Sequence, residues 1–255
     1  MTLAGRDHEA SGRQIGSLGP RADRMPRPGV GETPFPSGSW VWFSGGVTGM
    51  LVCVDLALAL VAHRVTEIPF SAFDLTGEFN VPTAWNAILL LAITASALAV
   101  AVLSGRGGRG WLVCAALTTL MALDEFLKLH ERLHHVGALL PTPLPGFAWL
   151  LPGGLIGLLL LVLAWRWTGA LPDPTRRLLR LAVLLYGAGA VGMEAVGAVF
   201  HTLDGAGLAY RLASAAEESL EMGACILATV AILRMLRAVH LPDGRLAVAT
   251  RRRAE

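Results

Sequence analysis

The chain has 255 residues, of which 54% are apolar, and a formal net charge of +2. With a mean hydropathy of +0.56, it is more apolar than a soluble domain of this size usually is. The near balance of acidic and basic residues excludes the strongly basic surface on which nucleic-acid binding usually depends. The composition therefore predicts an integral membrane protein whose main partner is the lipid bilayer.

The first 38 residues are polar and rich in Gly, Pro and Arg, and they lack the apolar stretch of a secretory signal peptide. Segments of this composition cannot bury enough apolar surface to fold on their own. We therefore predict that residues 1–38 form a disordered cytoplasmic tail and that residues 239–255 form a second, basic tail. Residues 39–238 are predicted to form a single all-α domain in the membrane.

Six apolar stretches occur in this domain, and each is long enough to cross about 30 Å of hydrocarbon as a helix. They predict a bundle of six transmembrane helices. In chain order, the predicted spans are Trp40–Ala62, Pro82–Leu103, Trp111–His130, Gly146–Trp165, Arg180–His201 and Leu212–Leu233.

The segments between the spans alternate in their content of basic residues. The two tails, the loop around Gly105 and the loop Arg166–Arg180 together hold 17 of the 21 Lys and Arg residues. The opposite side holds Arg64, Arg132 and Arg211. Because short loops rich in Lys and Arg stay in the cytoplasm, both termini are predicted to be cytoplasmic and the protein to lie in the plasma membrane.

Charged side chains interrupt the predicted spans, although a charge at the bilayer centre costs roughly 2.5–3.5 kcal/mol. At a rise of about 1.5 Å per residue, all the acidic ones fall in the outer half of the membrane. This convergence predicts one polar site that opens toward the outer face. The charged residues concerned are Asp55, Asp124, Glu125, Lys128, Glu194, Glu217, Glu218 and Glu221.

The end of the third span reads His130-Glu131-x-x-His134, which matches the HExxH motif. On one helix, the two histidines can bind Zn²⁺ while Glu131 acts as the general base. Asp124 and Glu125 complete the candidate catalytic residues. A third metal ligand would come from a later helix, and the candidates for it are Glu194, His201, Glu217, Glu218 and Glu221.

The same stretch also fits a second metal chemistry. Glu131-x-x-His134 is the unit that di-iron helical bundles carry on two of their helices. This chain has one such unit, and Glu218-x-x-Glu221 would have to replace the other. The cofactor predicted from these residues is therefore Zn or Fe.

Three sequence patches resemble a group of uncharacterised bacterial multi-pass membrane proteins. They are Phe73-Asp74-Leu75-x-x-Glu78-x-Asn80-x-Pro82-Thr83, Asp124-Glu125-x-x-x-x-His130-Glu131 and Glu217-Glu218-x-x-Glu221-Met222. The resemblance implies a shared outer-facing site and adds Glu78 to its residues. It implies no known activity.

Three functions stay open on these residues. The first is a metal-dependent membrane hydrolase that acts on a lipid or lipid-linked substrate from the outer leaflet. The second is a di-metal oxidoreductase. The third is not an enzyme but a sensor, an accessory subunit or a pathway for protons or metal ions, with Asp55, Lys128, Glu78 and Glu217 as further polar site residues. A carrier also needs polar groups toward the cytoplasm, and the inner halves of the spans contain no acidic residue.

Overall fold

A computed structural model of the chain describes residues 32–62, 71–77, 79–139, 148–241 and 245–250. The predicted tail up to residue 31 lies outside the described residues, and so do Arg64 and Glu78. The side chain of Glu131 is not described either.

Helices make up most of the described chain. Their bounds are α1 Gly38–Ala62, α2 Val81–Ser104, α3 Arg109–Leu127, α4 His134–Gly137, α5 Leu150–Thr168, α6 Asp173–Gly187, α7 Glu194–Asp204 and α8 Leu208–Leu233. A π-helical segment, Ala188–Met193, joins α6 directly to α7. The predicted helical character of the chain is confirmed.

Four helical segments of the described chain are long and apolar enough to cross a membrane, namely Gly38–Leu60, Val81–Leu127, Leu150–Thr168 and Asp173–Asp204. The second is 47 residues long because it contains both α2 and α3. Helix α8 is not among the four, since the acidic residues Glu217, Glu218 and Glu221 interrupt its apolar sequence.

Helices α2 and α3 form an antiparallel hairpin around the 3₁₀ turn Gly105–Gly108. Near the middle of the hairpin, the hydroxyl groups of Thr94 and Thr118 lie 2.8 Å apart. Near its open end, Asn86 of α2 donates a hydrogen bond to Glu125 of α3 at 3.0 Å. Residues further along α2 therefore contact residues nearer the start of α3, as expected for antiparallel helices.

Helix α8 lies at the centre of the bundle, where it packs against α1, α2, α6 and α7. Its residues Met222 and Ile232 are fully buried, together with Leu51 of α1 and Leu89 of α2. By contrast, α5 packs on the outside against α6 and exposes most of its apolar side chains. The acidic segment of the sequence is therefore carried by the most enclosed helix of the fold.

Two helix boundaries correct the predicted spans. Helix α3 ends at Leu127 rather than at His130, because Lys128 adopts the left-handed conformation with φ at 50°. The fifth span begins at Asp173, seven residues before the predicted start at Arg180. A proline lies in its first turn, and this does not prevent the helix from starting there because the first turn tolerates proline.

A small antiparallel sheet joins the two ends of the described chain. Strand β1, Glu32–Pro34, pairs with β2, Leu236–His240, which pairs in turn with β3, Leu246–Thr250. Strand β1 lies within the predicted N-terminal tail, and β3 lies within the predicted basic C-terminal tail. Strands of three to five residues are stable only when paired, and here the partners come from opposite ends of the chain.

Candidate functional site

The first patch forms a compact turn that leads into α2. The carboxylate of Asp74 accepts hydrogen bonds from the backbone N–H of Thr76 at 2.9 Å and from its hydroxyl at 2.7 Å. Asn80 donates to the backbone carbonyls of Asp74 and Gly77 at 2.7 and 2.9 Å. Its Oδ1 accepts from the backbone N–H of Thr83 at 3.1 Å, which makes Asn80 the N-cap of α2. The side chains of Asp74 and Asn80 in this patch therefore form the hydrogen bonds that shape the turn and start α2.

Two further contacts fasten this turn to the helices. Asp55 of α1 is 2% exposed, and its Oδ1 accepts a hydrogen bond from the backbone N–H of Leu75 at 3.1 Å. Arg211, near the start of α8, lies 3.7 Å from the carboxylate of Asp74. The predicted site residue Asp55 therefore holds the turn in place, and its electrostatic neighbours are Asp74 and Arg211.

The second patch ends α3. The Oδ1 of Asp124 accepts a hydrogen bond from the backbone N–H of His130 at 2.9 Å, and its Oδ2 lies 2.9 Å from Nδ1 of the same histidine. The backbone N–H of Lys128 donates to the carbonyl of Asp124. The ring of His130 packs against Trp149, with the ring centres 4.9 Å apart. The spacing of six residues between Asp124 and His130 is thus that of a helix-ending turn, and Asp124 orients the histidine.

The HExxH sequence does not lie on one continuous helix. After α3 ends at Leu127, Glu131–Leu133 form a 3₁₀ turn and His134 begins the four-residue helix α4. The zincin interpretation assumed that both histidines lie on one continuous helix, and the structure has a break there instead. Among the described residues, which leave out the Glu131 side chain, no group of three His, Cys, Asp or Glu side chains is placed to hold a metal ion.

The third patch brings acidic residues of α8 into the interior, where they meet acids from other helices. Asn86 of α2 donates from Nδ2 to Oε1 of Glu125 at 3.0 Å and to Oε2 of Glu221 at 3.4 Å. Asn86 is 1% exposed and Glu221 is 8% exposed. One buried amide thus links α3 to α8. We call the whole set the carboxyl cluster, and it consists of Glu125, Glu194, Glu217, Glu218, Glu221 and the bridging Asn86.

Glu217 and Glu218 extend the carboxyl cluster toward α7. The carboxyl group of Glu217 interacts with that of Glu194, and Glu218 interacts electrostatically with Glu125 and Glu194. The Oε2 of Glu218 and the Oδ1 of Asn86 are buried and have no hydrogen-bond partner in the described part of the chain. Because a buried polar atom without a partner is costly, these two oxygens mark a place where a ligand would be stabilised.

Basic residues near the carboxyl cluster are engaged elsewhere. The ammonium group of Lys128 lies over the ring of Phe79, 5.3 Å from its centre. Arg211 pairs with Asp74, and His130 contacts Asp124. Within the described ranges, no Lys, Arg or His side chain forms an ion pair with a glutamate of the cluster. His130 interacts electrostatically with Glu125, and any negative charge on the other carboxyl groups has no ion-pair partner in the described part of the chain.

The π-helical segment makes room for the cluster. A Cβ atom on Gly189 would lie 2.9 Å from Cγ of Glu221 and 3.0 Å from the backbone oxygen of Glu217. Such contacts are closer than packed atoms tolerate, so only glycine lets α8 approach here. Tyr186, one turn earlier, lies in the electrostatic field of Glu221. Short π-helical segments occur frequently at functional sites.

Of the three predicted histidine ligands, His130 contacts Asp124 and interacts electrostatically with Glu125 of the carboxyl cluster. His201 is exposed, and its ring packs against Tyr210 with the ring centres 5.0 Å apart. His134 lies in α4, beyond the end of α3. Asn86 and Tyr186 are not among the predicted site residues. Asn86 had a usable signal, because it is the one Asn or Gln within the six predicted spans and such amides hydrogen-bond between membrane helices.

The four long apolar segments, by their length and composition, indicate a helical protein of the membrane class. The chain belongs to the family described as a domain of unknown function, DUF8692, which matches residues 39–236. The matched region includes all three patches, and the membership agrees with the resemblance to uncharacterised proteins. No curated protein and no solved structure matches the chain.

Proposed function

We propose that the chain is a six-span protein of the plasma membrane with both termini in the cytoplasm. The antiparallel arms α2 and α3 have 24 and 19 residues, and α8 has 26, so each is long enough to cross the bilayer. The acidic side chains of α8 face other helices rather than lipid. Acidic residues are tolerated in membrane spans when they face the interior of the bundle in this way. With α1, α5 and the continuous helix 173–204, these arms make six crossings. The concentration of Lys and Arg on one side supports the orientation.

We propose further that the carboxyl cluster binds cations, so that the protein acts as a cation-responsive sensor or as part of an ion pathway. The carrying observation is the meeting of five carboxyl groups without an ion-pair partner among the described residues. Unbalanced charges in a membrane interior require a counter-charge or a proton. The donors are all oxygens, which disfavours zinc. No three of these described side chains are placed to hold one metal ion, so a proton is favoured over a divalent cation.

The position of the cluster indicates from which side a cation arrives. Asn86 lies five residues from the start of α2, and Glu125 lies two residues from the end of α3. Both therefore lie near the open end of the hairpin, away from the Gly105–Gly108 turn. In the proposed topology that turn is cytoplasmic, so the cluster is reached from the outer face.

We expect cation occupancy to be visible in the unfolding of the purified protein. A ligand that binds the folded state alone at 100 times its Kd stabilises it by about 2.7 kcal/mol. If a hard divalent cation is the occupant, Mg²⁺, Ca²⁺ or Mn²⁺ raises the unfolding midpoint. If a proton is the occupant, these metals have no effect and the midpoint depends on pH instead.

Either response is expected to be lost in Glu221→Gln and kept in Asp204→Asn, which changes an exposed carboxylate at the end of α7. A response that is equal in the wild type and in Glu221→Gln would contradict cation binding at the cluster.

A second candidate function is metal-dependent hydrolysis of a lipid or lipid-linked substrate, and one observation favours it. Asp124 fixes the ring of His130 through Nδ1, as carboxylates do for histidines that ligate a metal. In this alternative Asp124 orients the ligand rather than acting as the base. Zinc that stays bound in Glu221→Gln and is lost in His130→Ala would favour hydrolysis over the cation-responsive cluster.

A further inference from the structure

Helices α5 and α6 pack against each other, and an arginine lies where they meet. The guanidinium group of Arg180 lies over the ring of Trp165, 4.7 Å from its centre. Its Nε donates a hydrogen bond to the hydroxyl of Thr168 at 3.3 Å, and that hydroxyl donates in turn to the backbone carbonyl of Trp165 at 2.7 Å. Contacts between the two helices therefore fix the position of this guanidinium group.

The charge of Arg180 has no acidic partner in the described part of the chain. The one described acid between Leu150 and Met193 is Asp173, and it forms its ion pair with Arg176. Within the guanidinium group of Arg180, only Nε donates to an acceptor among the described residues. A guanidinium group binds phosphate through two parallel hydrogen bonds, so the terminal nitrogens of Arg180 are suited to a phosphate group.

Two further arginines add positive charge beside Arg180. Arg177 is exposed and precedes Arg180 by three residues on α6, which makes the two neighbours on one helix face. A Cβ atom on Gly169 would lie 3.0 Å from the backbone oxygen of Arg166 and 3.6 Å from Nη2 of Arg180, so the exposed Arg166 also lies close by. Neither arginine has an acidic partner among the described residues. The site therefore carries a net positive charge that is complementary to an anionic ligand.

The site lies where the apolar parts of α5 and α6 begin. Neither 150–165 nor 181–193 contains a charged residue, and Arg166 and Arg180 directly adjoin these two stretches. Because charged side chains are excluded from the hydrocarbon, the boundary between hydrocarbon and headgroups crosses both helices at this level. Trp165 fits this position, since tryptophan is enriched at membrane interfaces. The guanidinium group of Arg180 is thus at the depth of the lipid phosphates.

An exposed apolar surface continues from the site toward the membrane interior. Leu184 lies four residues after Arg180, and Val162 lies three residues before Trp165, so each continues the helix face of its partner. Leu184 is 56% exposed and Val162 is 48% exposed. This surface suits an acyl chain, which a free phosphate ion lacks.

We infer that Arg180, held in place by Trp165 and Thr168, binds the phosphate group of an anionic phospholipid in the cytoplasmic leaflet. Arg166 and Arg177 supply the preference for a negatively charged headgroup. The choice of leaflet rests on the proposed six-span topology, which places the connection between α5 and α6 in the cytoplasm. Basic sites between membrane helices on that side are a known means of binding anionic headgroups.

Lipid titration of the purified full chain in detergent, followed by native mass spectrometry, tests this site. We expect phosphatidylglycerol to bind more tightly than phosphatidylcholine, and Arg180→Gln to weaken phosphatidylglycerol binding about tenfold, because it removes a charge-assisted contact. Arg180→Lys keeps the charge but lacks the planar fork, so it should also bind this lipid more weakly than the wild type. The matched control is Arg106→Gln, which removes an exposed arginine in the Gly105–Gly108 turn and should bind as the wild type does.

Equal affinities of the wild type and Arg180→Lys would overturn the site, and this variant decides the question if Arg180→Gln does not fold. Equal losses in Arg180→Gln and Arg106→Gln would overturn it too, because they would show a general effect of surface charge. Displacement of phosphatidylglycerol by an equal concentration of inorganic phosphate would overturn the choice of a lipid as the ligand.

The titration involves no residue of the carboxyl cluster, so its failure would leave the proposed cation binding standing. The leaflet is tested separately by Ala170→Cys, which lies in the connection between α5 and α6, in a chain whose three native cysteines are replaced by alanine. We expect no reaction with an impermeant maleimide added outside intact cells. Reaction there would overturn both the proposed topology and the assignment of the lipid to the cytoplasmic leaflet.

Discussion

Replacing Gly189 by alanine is expected to lower the free energy of unfolding by about 1–3 kcal/mol, the usual cost of overpacking a tight interior. The added Cβ would lie 2.9 Å from Cγ of Glu221 and 3.0 Å from the backbone oxygen of Glu217. Either the Glu221 side chain rotates away from Asn86 or α8 moves away from the π-helical segment. Both movements disturb the carboxyl cluster, so the cation response should weaken together with stability. Chemical unfolding of the purified protein measures the first effect.

Gly192 provides the matched control for this substitution. It lies in the same π-helical segment, and a Cβ at this position has no atom within 4 Å. Gly192→Ala is therefore expected to leave stability unchanged or to raise it slightly, because alanine favours a helix more than glycine does. Equal losses of stability at the two positions would show that the close approach of α8 at Gly189 has no special importance.

Asn86→Leu is expected to lower the free energy of unfolding by about 2–4 kcal/mol, because the substitution removes the donor that Glu125 and Glu221 share. A buried acceptor left without its partner costs about 1–3 kcal/mol. Leucine keeps a similar volume at a position that is 1% exposed, so cavity formation contributes little. The measurement is again chemical unfolding, combined with the cation response of the variant.

Thr94→Val is the control for the loss of a polar group on α2. Thr94 lies two helical turns from Asn86 and bonds with Thr118 of α3 rather than with the carboxyl cluster. We expect it to cost about 1 kcal/mol, as an ordinary hydrogen bond does, and to leave the cation response intact. A loss of the cation response in Thr94→Val would assign the effect of Asn86→Leu to the hairpin in general.

The helices themselves could be predicted because long apolar stretches admit few other structures in a membrane. The resemblance named two residues that come together in the structure, since Glu125 from the second patch and Glu221 from the third both accept hydrogen bonds from Asn86. Neighbouring acids have different surroundings, however. Asp124 bonds with His130 while Glu125 faces the cluster. Sequence alone does not select between two adjacent residues, because the choice depends on which helix packs against each side.

The features that the sequence pattern did not predict depend on contacts between residues that are distant in sequence or lie in turns. Just after α3 ends, the backbone N–H of His130 donates a hydrogen bond to Asp124. The HExxH sequence therefore begins in a turn rather than within α3. Asp55 is a predicted polar residue of the outer site, and in the structure it accepts a hydrogen bond from the backbone N–H of Leu75. The sheet depends on pairing between Thr33 and Ala238, which lie too far apart in sequence for local patterns to indicate.

Infrared difference spectra of the purified protein test the cation-binding cluster most directly, because they report on the carboxyl groups themselves. Titration with acid or with a hard divalent cation is predicted to change the carboxyl-stretch signal of the wild type. Part of that change should disappear in each of Glu125→Gln, Glu218→Gln and Glu221→Gln and should persist in Asp204→Asn. Identical difference spectra for the wild type and the three glutamine variants would contradict the proposal that this cluster binds a cation.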